Sequence, residues 1–326
     1  MVSISQGFAA AHAWLYASIV QPALFALGLS SILEDAFAAT GWFMTGLIEI
    51  AVLVAVIGTL QRWRPVEAMN TPSERASIRV DVFYTMIHRL GFFKLALFFT
   101  VEPWFDVLFG TLRAAGYGTF HLDQLWPGVT DKALISLAIY LIAFDFLGYW
   151  IHRGQHQIEW WWRLHALHHS QRQMTMWSDN RNHVLDSLII DVLLVTAAQL
   201  VGVAPEQFIV ILALTQLSES LQHANVRLWF GNLGERLVVS PRFHRFHHGI
   251  ENSLAPSTSG LRTGRPTSGT NFGILLPWWD ILFKTANFEH RYPPTGMSDE
   301  INGTRDYGKG FCSQQWLGFK RLVGRA

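Results

Sequence analysis

Cysteine is almost missing from this chain of 326 residues, where Cys312 stands alone. A single thiol excludes an internal disulfide framework and any cysteine-built zinc or iron–sulfur site. Charge is scarce as well: Asp, Glu, Lys and Arg make up 15% of the residues, against about 25% in a typical soluble domain. There is no basic block and the net charge is +1, so no nucleic-acid partner is expected. The N-terminus lacks the basic n-region and small-residue cleavage site of a secretory signal. Its first apolar segment is therefore expected to persist as a membrane helix. Internal repeats and heptads are absent too.

Apolar length is what the chain has instead. Half its residues are hydrophobic, and about 20 mostly apolar residues suffice to cross a bilayer. Crossings are expected at 14–33, at 42–60 in spite of Glu49, and at 133–150. Residues 80–109 form a less clean candidate, interrupted by Asp81, His88, Arg89, Lys94 and Glu102. Residues 184–201 and 205–221 read as a tight hairpin that spans with little to spare or re-enters. The expected fold class is all-α: a polytopic membrane helical bundle of about four spans plus that hairpin, with a cytoplasmic histidine-rich helical cap. Three regions are expected: 1–132 in the membrane, 133–290 catalytic, and 291–326 a tail on the membrane surface.

Arginine and lysine accumulate on the cytoplasmic side. Arg62, Arg64, Arg75 and Arg79 follow the second span, and Arg153, Arg163, Arg172 and Arg181 follow residues 133–150. Arg227, Arg236, Arg242 and Arg245 follow the hairpin. One orientation satisfies all three groups, with loop 110–132 outside. A Pro-, Gly-, Ser- and Thr-rich stretch at 253–270 is expected to be a flexible loop.

Histidine is the excess. Ten of the fourteen lie between 152 and 248, in clusters. His152 and His156 are spaced HxxxH. His165, His168 and His169 form HxxHH, and His244, His247 and His248 repeat it. His183 and His223 stand singly between them. Residues three or four apart share a helix face, and imidazole is a common transition-metal ligand. Ten donors exceed the needs of one four-coordinate ion and suit a pair. On this orientation, all ten fall on the cytoplasmic side.

Competing chemistries fit less well. A metal-sensing tract would be a low-complexity run in a loop. Haem in a membrane bundle needs one axial histidine on each of two helices, not triplets. A zinc hydrolase would show three ligands and a Glu base, as in HExxH, a string this chain lacks. A membrane zinc hydrolase or metal-dependent regulator is nevertheless the alternative to set against an oxygenase.

Carboxylates are costly inside a membrane unless they work. Asp145 and Tyr149 precede His152 on its helical face, Asp186 follows His183 by three residues, and Glu219 precedes His223 by four. Metal-bound histidines usually donate their second N–H to an acceptor, so these four are expected to orient the ligands. Glu49 and Asp191 lie farther away and read as packing or topology features. His12, His121 and His290 lack partners, and His88 is a weak candidate for an orienting group.

The strings DFLGYWIHRGQH, HALHHS, RNH, LQHAN, SPRFHRFHH, and NFG with WDILFKT together resemble the fatty acid hydroxylase / sterol desaturase superfamily over about residues 145–285. The resemblance implies a non-haem di-iron centre held by His152, His156, His165, His168, His169, His244, His247 and His248, with His183 and His223 added. It implies O2 as co-substrate, with electrons from a separate ferredoxin or cytochrome b5-like donor and its reductase. It also implies a lipid substrate: an acyl chain, sterol or carotenoid, ether lipid, or amino-lipid such as ornithine lipid. Hydroxylation is expected, with desaturation on the same centre as the alternative. Iron is chosen through the resemblance, since the ligands would also suit zinc, which is admissible in a purified or crystallised form. Two departures stand out. The loop between His248 and Asn271 is longer than usual, and the common final glycine of WDxLFGT is Lys284.

Overall fold

The computed structural model describes residues 4–69, 71–250 and 269–325. The expected flexible loop at 253–270 lies almost wholly outside the described residues. Among those described, every regular element is helical, and a lone bridge joins Gly249 to Thr295. Three helices are long and apolar enough to cross a membrane: Ser30–Trp63, Ala133–Gln157 and Val184–Val201. About four were expected, and two of the expected crossings need correction.

The first helical stretch ends at Ala26, where Gly28 takes a left-handed φ of 72°. Helix resumes at Ser30, so the next crossing begins well before residue 42. Its main part is α1 (Leu33–Val52). The expected 80–109 span is instead three helices, because Gly91 at φ 79° closes α2 (Pro72–Arg89) and a further break falls at Val101. Pro103 explains that second break, since its ring clashes with a preceding turn and offers no N–H. Thr71 and Glu74 form a capping box that starts α2, satisfying donors that the first turn leaves unpaired.

Arg89 sits where these elements meet. Its guanidinium bonds Glu49 of α1 at 2.6 Å, Asp179 at 2.8 Å and Ser220 at 2.8 Å. A buried charge survives only when it is matched in this way. Gly46 lets α1 approach so closely that a β-carbon there would collide with the Arg89 carbonyl. Farther along, Leu53 and Ile57 pack on Met176, Ala224 and Val226.

The site is carried by six elements: α3 (Ala133–Gln157), α4 (Glu159–His169), α5 (Val184–Val201), α6 (Pro205–His223), the short α7 (Pro241–His247) and α8 (Phe311–Leu322). Helix α4 turns back against α3 and is backed by α8, while α7 packs on α6. The hairpin α5–α6 turns at Gly202, whose φ of 69° suits a residue without a β-carbon, and Pro205 opens α6. Ser240 caps α7 by accepting from the Phe243 N–H, which sets the last histidine triplet in register. The segment 291–325 docks on both preceding regions: Arg321 donates to the Arg163 carbonyl of α4 at 3.2 Å, and Gln315 to Tyr84 of α2 at 2.9 Å. Trp316 and Phe319 of α8 remain exposed.

Candidate metal centre

Two sets of four buried histidines come together. His152, His156, His169 and His247 make one, and His168, His223, His244 and His248 the other; within each, the candidate donor atoms lie within 4.8 Å of one another. The sets adjoin, with the rings of His169 and His248 stacked at 4.2 Å between centroids. His165 lies between them, its ring 5.1 Å from both His156 and His168. Every cluster contributes to the site, and the adjacent positions His168 and His169 diverge into different sets because successive helical residues point about 100° apart.

Hydrogen bonding does not explain this convergence. The Nε2 of His223 lies 3.1 Å from both His168 Nε2 and His244 Nε2, and His244 Nε2 is also 3.1 Å from His248 Nε2. A neutral ring nitrogen has one proton or one lone pair in its plane, so it cannot serve two such neighbours. Nitrogens about 2.0–2.1 Å from a shared ion stand roughly 3.0–3.4 Å apart, which matches. Both nitrogens of His156 and Nε2 of His165 are moreover buried without any partner. Such orphans are costly in the absence of a ligand. The donor set therefore fits a pair of transition-metal ions.

The second nitrogens set the tautomers. His152 donates through Nδ1 to the Phe272 carbonyl at 2.9 Å, and His247 through Nδ1 to Thr270 at 2.7 Å. His223 donates to the Glu219 carbonyl at 2.8 Å, and His165 to Asp186 at 3.1 Å. In all four, Nε2 is left with its lone pair facing the centre, as a ligand requires. Burial, reinforced by neighbouring imidazoles, holds His168, His169, His244 and His248 well below the usual histidine range. His247 is pushed down to about 3, mainly by burial. Neutral imidazole, the coordinating form, is thus favoured at these five positions.

Not every expected residue lies at the centre. His183 belongs to neither set: its Nε2 bonds the Gln315 carbonyl at 2.9 Å and its Nδ1 accepts from Leu185 N at 3.2 Å. It caps α5 instead, and both nitrogens are used. Asp186 touches His165 rather than His183, and also accepts from Gln155 and Trp161 at 2.8 and 2.7 Å. Asp145 reaches no histidine, accepting instead from Leu275 N at 2.7 Å and Trp279 Nε1 at 2.8 Å. Tyr149 bonds Thr285 and Arg153, each at 3.1 Å. For Glu219 it is the carbonyl that meets His223, while its carboxylate lines a cavity. His88 lines that cavity too and packs on Phe93.

Sequence reasoning gave no role to the NFG and WDILFKT strings, which the structure ties together. Asp280 accepts from Phe272 N at 2.9 Å, Gly273 N at 2.7 Å and Thr285 Oγ1 at 2.6 Å. Asn271, at φ 63°, donates to the Phe243 carbonyl of α7 at 2.9 Å. This knot aims the Phe272 carbonyl at His152. The glycine replaced by Lys284 falls at a left-handed φ of 58°, which is why glycine suits the position.

A cavity of about 220 Å³ between α3, α5 and α6 reaches the histidines, with His152, His165, His168, His223 and His244 at its inner end.

Apolar helices and paired histidine sets beside such a cavity fit the class of metal-binding membrane enzymes. Residues 137–285, a little under half of the chain, match the fatty acid hydroxylase family, and the chain is similar to lipid-oxidising proteins of the fatty acid hydroxylase / sterol desaturase superfamily. It is 27% identical over 304 residues to the ornithine lipid hydroxylase OlsE of Rhizobium tropici, covering 93% of this chain and 84% of that protein. It is 26% identical to alkylglycerol monooxygenase of Homo sapiens, over 49% of this chain and 33% of the relative. With lathosterol oxidase of Homo sapiens it shares 32% identity, over 28% of this chain and 32% of the relative. The chain thus spans only about a third of the latter two. No solved structure matches it.

Proposed function

We propose that this protein hydroxylates a C–H bond of a membrane lipid, using two non-haem irons, O2 and electrons from a separate ferredoxin or cytochrome b5-like carrier. The observation that carries this is the pair of adjoining four-histidine sets, rich in partnerless buried nitrogens, at the end of a cavity. His152, His156, His169 and His247 would hold one ion and His168, His223, His244 and His248 the other, with His165 between them. Bound there, two irons would supply the redox chemistry that places one oxygen atom in the substrate and releases the other as water.

The chain's own residues do the rest. The Phe272, Thr270 and Glu219 carbonyls and the Asp186 carboxylate accept from Nδ1 of His152, His247, His223 and His165 and so keep their Nε2 atoms aimed inward. Burial of all these rings excludes water from the site, which protects a reactive centre from side reactions. The family and the named relatives favour lipid oxidation, and the 84% coverage of the ornithine lipid hydroxylase favours an amino-lipid among the candidates. The arginine distribution supports a multi-pass topology with the histidines on the cytoplasmic side. In this reading 133–290 forms the catalytic unit, 1–132 the membrane framework, and 291–326 a buttress behind α4.

Metal analysis of the full chain purified without added metal is the first test, with about two irons per chain expected. Lipid profiling of cells with and without the gene then reads the product. A gain of one oxygen supports hydroxylation, loss of two hydrogens indicates desaturation, and stoichiometric zinc with lipid hydrolysis overturns the proposal.

A further inference from the structure

Lys94 and Asp191, like the Glu219 carboxylate, stand apart from the matched charges in this bundle. Arg89 is matched by Glu49 and Asp179, Asp81 by Arg181 and Gln171, and Asp145 by backbone and indole N–H groups. Asp191 has no such partner: among the described residues its carboxylate makes no hydrogen bond and no ion pair, and Lys94 is the charge that acts on it. The Lys94 ammonium itself lies over the Trp42 ring, 3.2 Å from its centroid. Charges inside a membrane protein are expensive and mark functional pathways by default.

Their position gives them a task. Both residues line the cavity that reaches the histidines, and both also line a second cavity of about 210 Å³. Leu194 and Leu212 are likewise shared, so the two cavities adjoin at these four side chains, a waist between an inner and an outer chamber. The chambers differ in chemistry. Beyond its histidines, the inner one presents Gln155, Asn180, Asn182, Gln216 and Glu219. The outer one presents Leu97, Val101, Phe105, Val195 and Phe208, with Glu102, Asp106 and Gln199 as its further polar groups. Asp191 lies five residues beyond Asp186 on α5, about 7.5 Å along the helix axis from the carboxylate that touches His165.

We propose that Lys94 and Asp191 determine specificity for a lipid with a zwitterionic head, taken head-first, so that the oxidised carbon belongs to the head or its immediate attachment. The ammonium of the head faces Asp191 and its oxyanion faces Lys94, while the chain occupies the outer chamber. A head held at the waist places its remaining atoms among the polar groups leading to the histidines, where an acyl chain would leave those groups unsatisfied. The inference rests on the lipid-hydroxylase reading and narrows its substrate class.

The test uses the full chain in detergent with two radiolabelled probes of equal chain length: N-palmitoyl-ornithine, which carries one ammonium and one carboxylate, and uncharged monopalmitoylglycerol. Equilibrium binding is measured on wild type, Asp191→Asn and Lys94→Gln, with iron content matching wild type as the check on folding. The wild type should prefer the zwitterionic lipid by about tenfold or more, and each variant should lose most of that preference. With iron, O2 and a reductant, fragmentation of the product should place the added oxygen on the head side. Equal affinity for the two probes, variants that keep the preference, or oxygen found along the chain would each overturn the proposal. Should one variant fail to hold iron, the other and the wild-type preference decide. A wild type that binds selectively but never oxygenates lipid counts against the hydroxylase reading instead, because binding is measured without turnover.

Discussion

The two histidine sets are made of the same side chain and are held by different means. In the first, His152 and His247 are oriented by the carbonyls of Phe272 and Thr270, which belong to an irregular segment. In the second, His223 is oriented by a carbonyl of its own helix, that of Glu219. A helix carbonyl comes with the local fold, since it lies one turn back along the same element. The irregular segment must be placed by tertiary bonds, and the knot around Asp280 and Asn271 supplies them. The first set therefore depends, through His152 and His247, on residues distant in sequence, and the second, through His223, on its own helix.

The largest effects should come from removing a donor. His247→Ala is expected to lower bound metal from about two ions per chain to one and to cut activity by more than about 100-fold. That exceeds the 10–100-fold typical of losing an orienting partner. His223→Ala should do the same through the other ion. Metal counting together with spectroscopy of the remaining ion separates the two, and full metal retention in either variant would count against its assignment.

Next in size is Asp186→Ala, which frees the His165 ring and strands the donors of Gln155 and Trp161. An activity loss of about 10–100-fold is expected, with metal largely retained. His183→Ala, by contrast, removes only a cap and a bond to Gln315, costing about 0.5–2 kcal/mol of stability with two ions still bound. If His183→Ala loses metal while Asp186→Ala leaves activity at wild-type level, the geometric assignment of both residues is wrong.

Asp280→Ala sharpens the comparison more directly. It releases Phe272 N and Gly273 N and should cost about 1–3 kcal/mol in stability, weakening metal at the first set more than at the second. Equal weakening at both sets would show that the knot serves the whole fold rather than His152. The smallest effect is expected from Lys284→Gly, which relieves a left-handed residue costing roughly 1–2 kcal/mol. Part of that gain is cancelled by the added freedom of glycine in the unfolded chain, so a net stabilisation of about 0.5–1 kcal/mol should appear in thermal melts. A lower melting point would mean that the lysine side chain itself matters at this turn.

The ligands were visible in the sequence because helix periodicity is local. Imidazoles at i, i+3 and i+4 announce a shared face before any tertiary contact exists. His183 carried the same chemical signal without the tertiary placement, since nothing in the string RNH distinguishes a ligand from a helix cap. Asp186 looked like a partner for the histidine nearest in sequence and found its partner on α4. The broken 80–109 segment shows the same limit: Gly91 and Pro103 were legible as interruptions, yet the run of apolar residues masked them.

By itself, the sequence determined that this is a helical membrane protein with too many clustered imidazoles for one ion, because hydropathy and helical spacing act within one element at a time. Tertiary structure alone decided which four nitrogens make each set, which carbonyls aim them, and that Lys94 and Asp191 line two adjoining cavities. Those choices depend on groups from different helices and from the backbone, which no local pattern encodes.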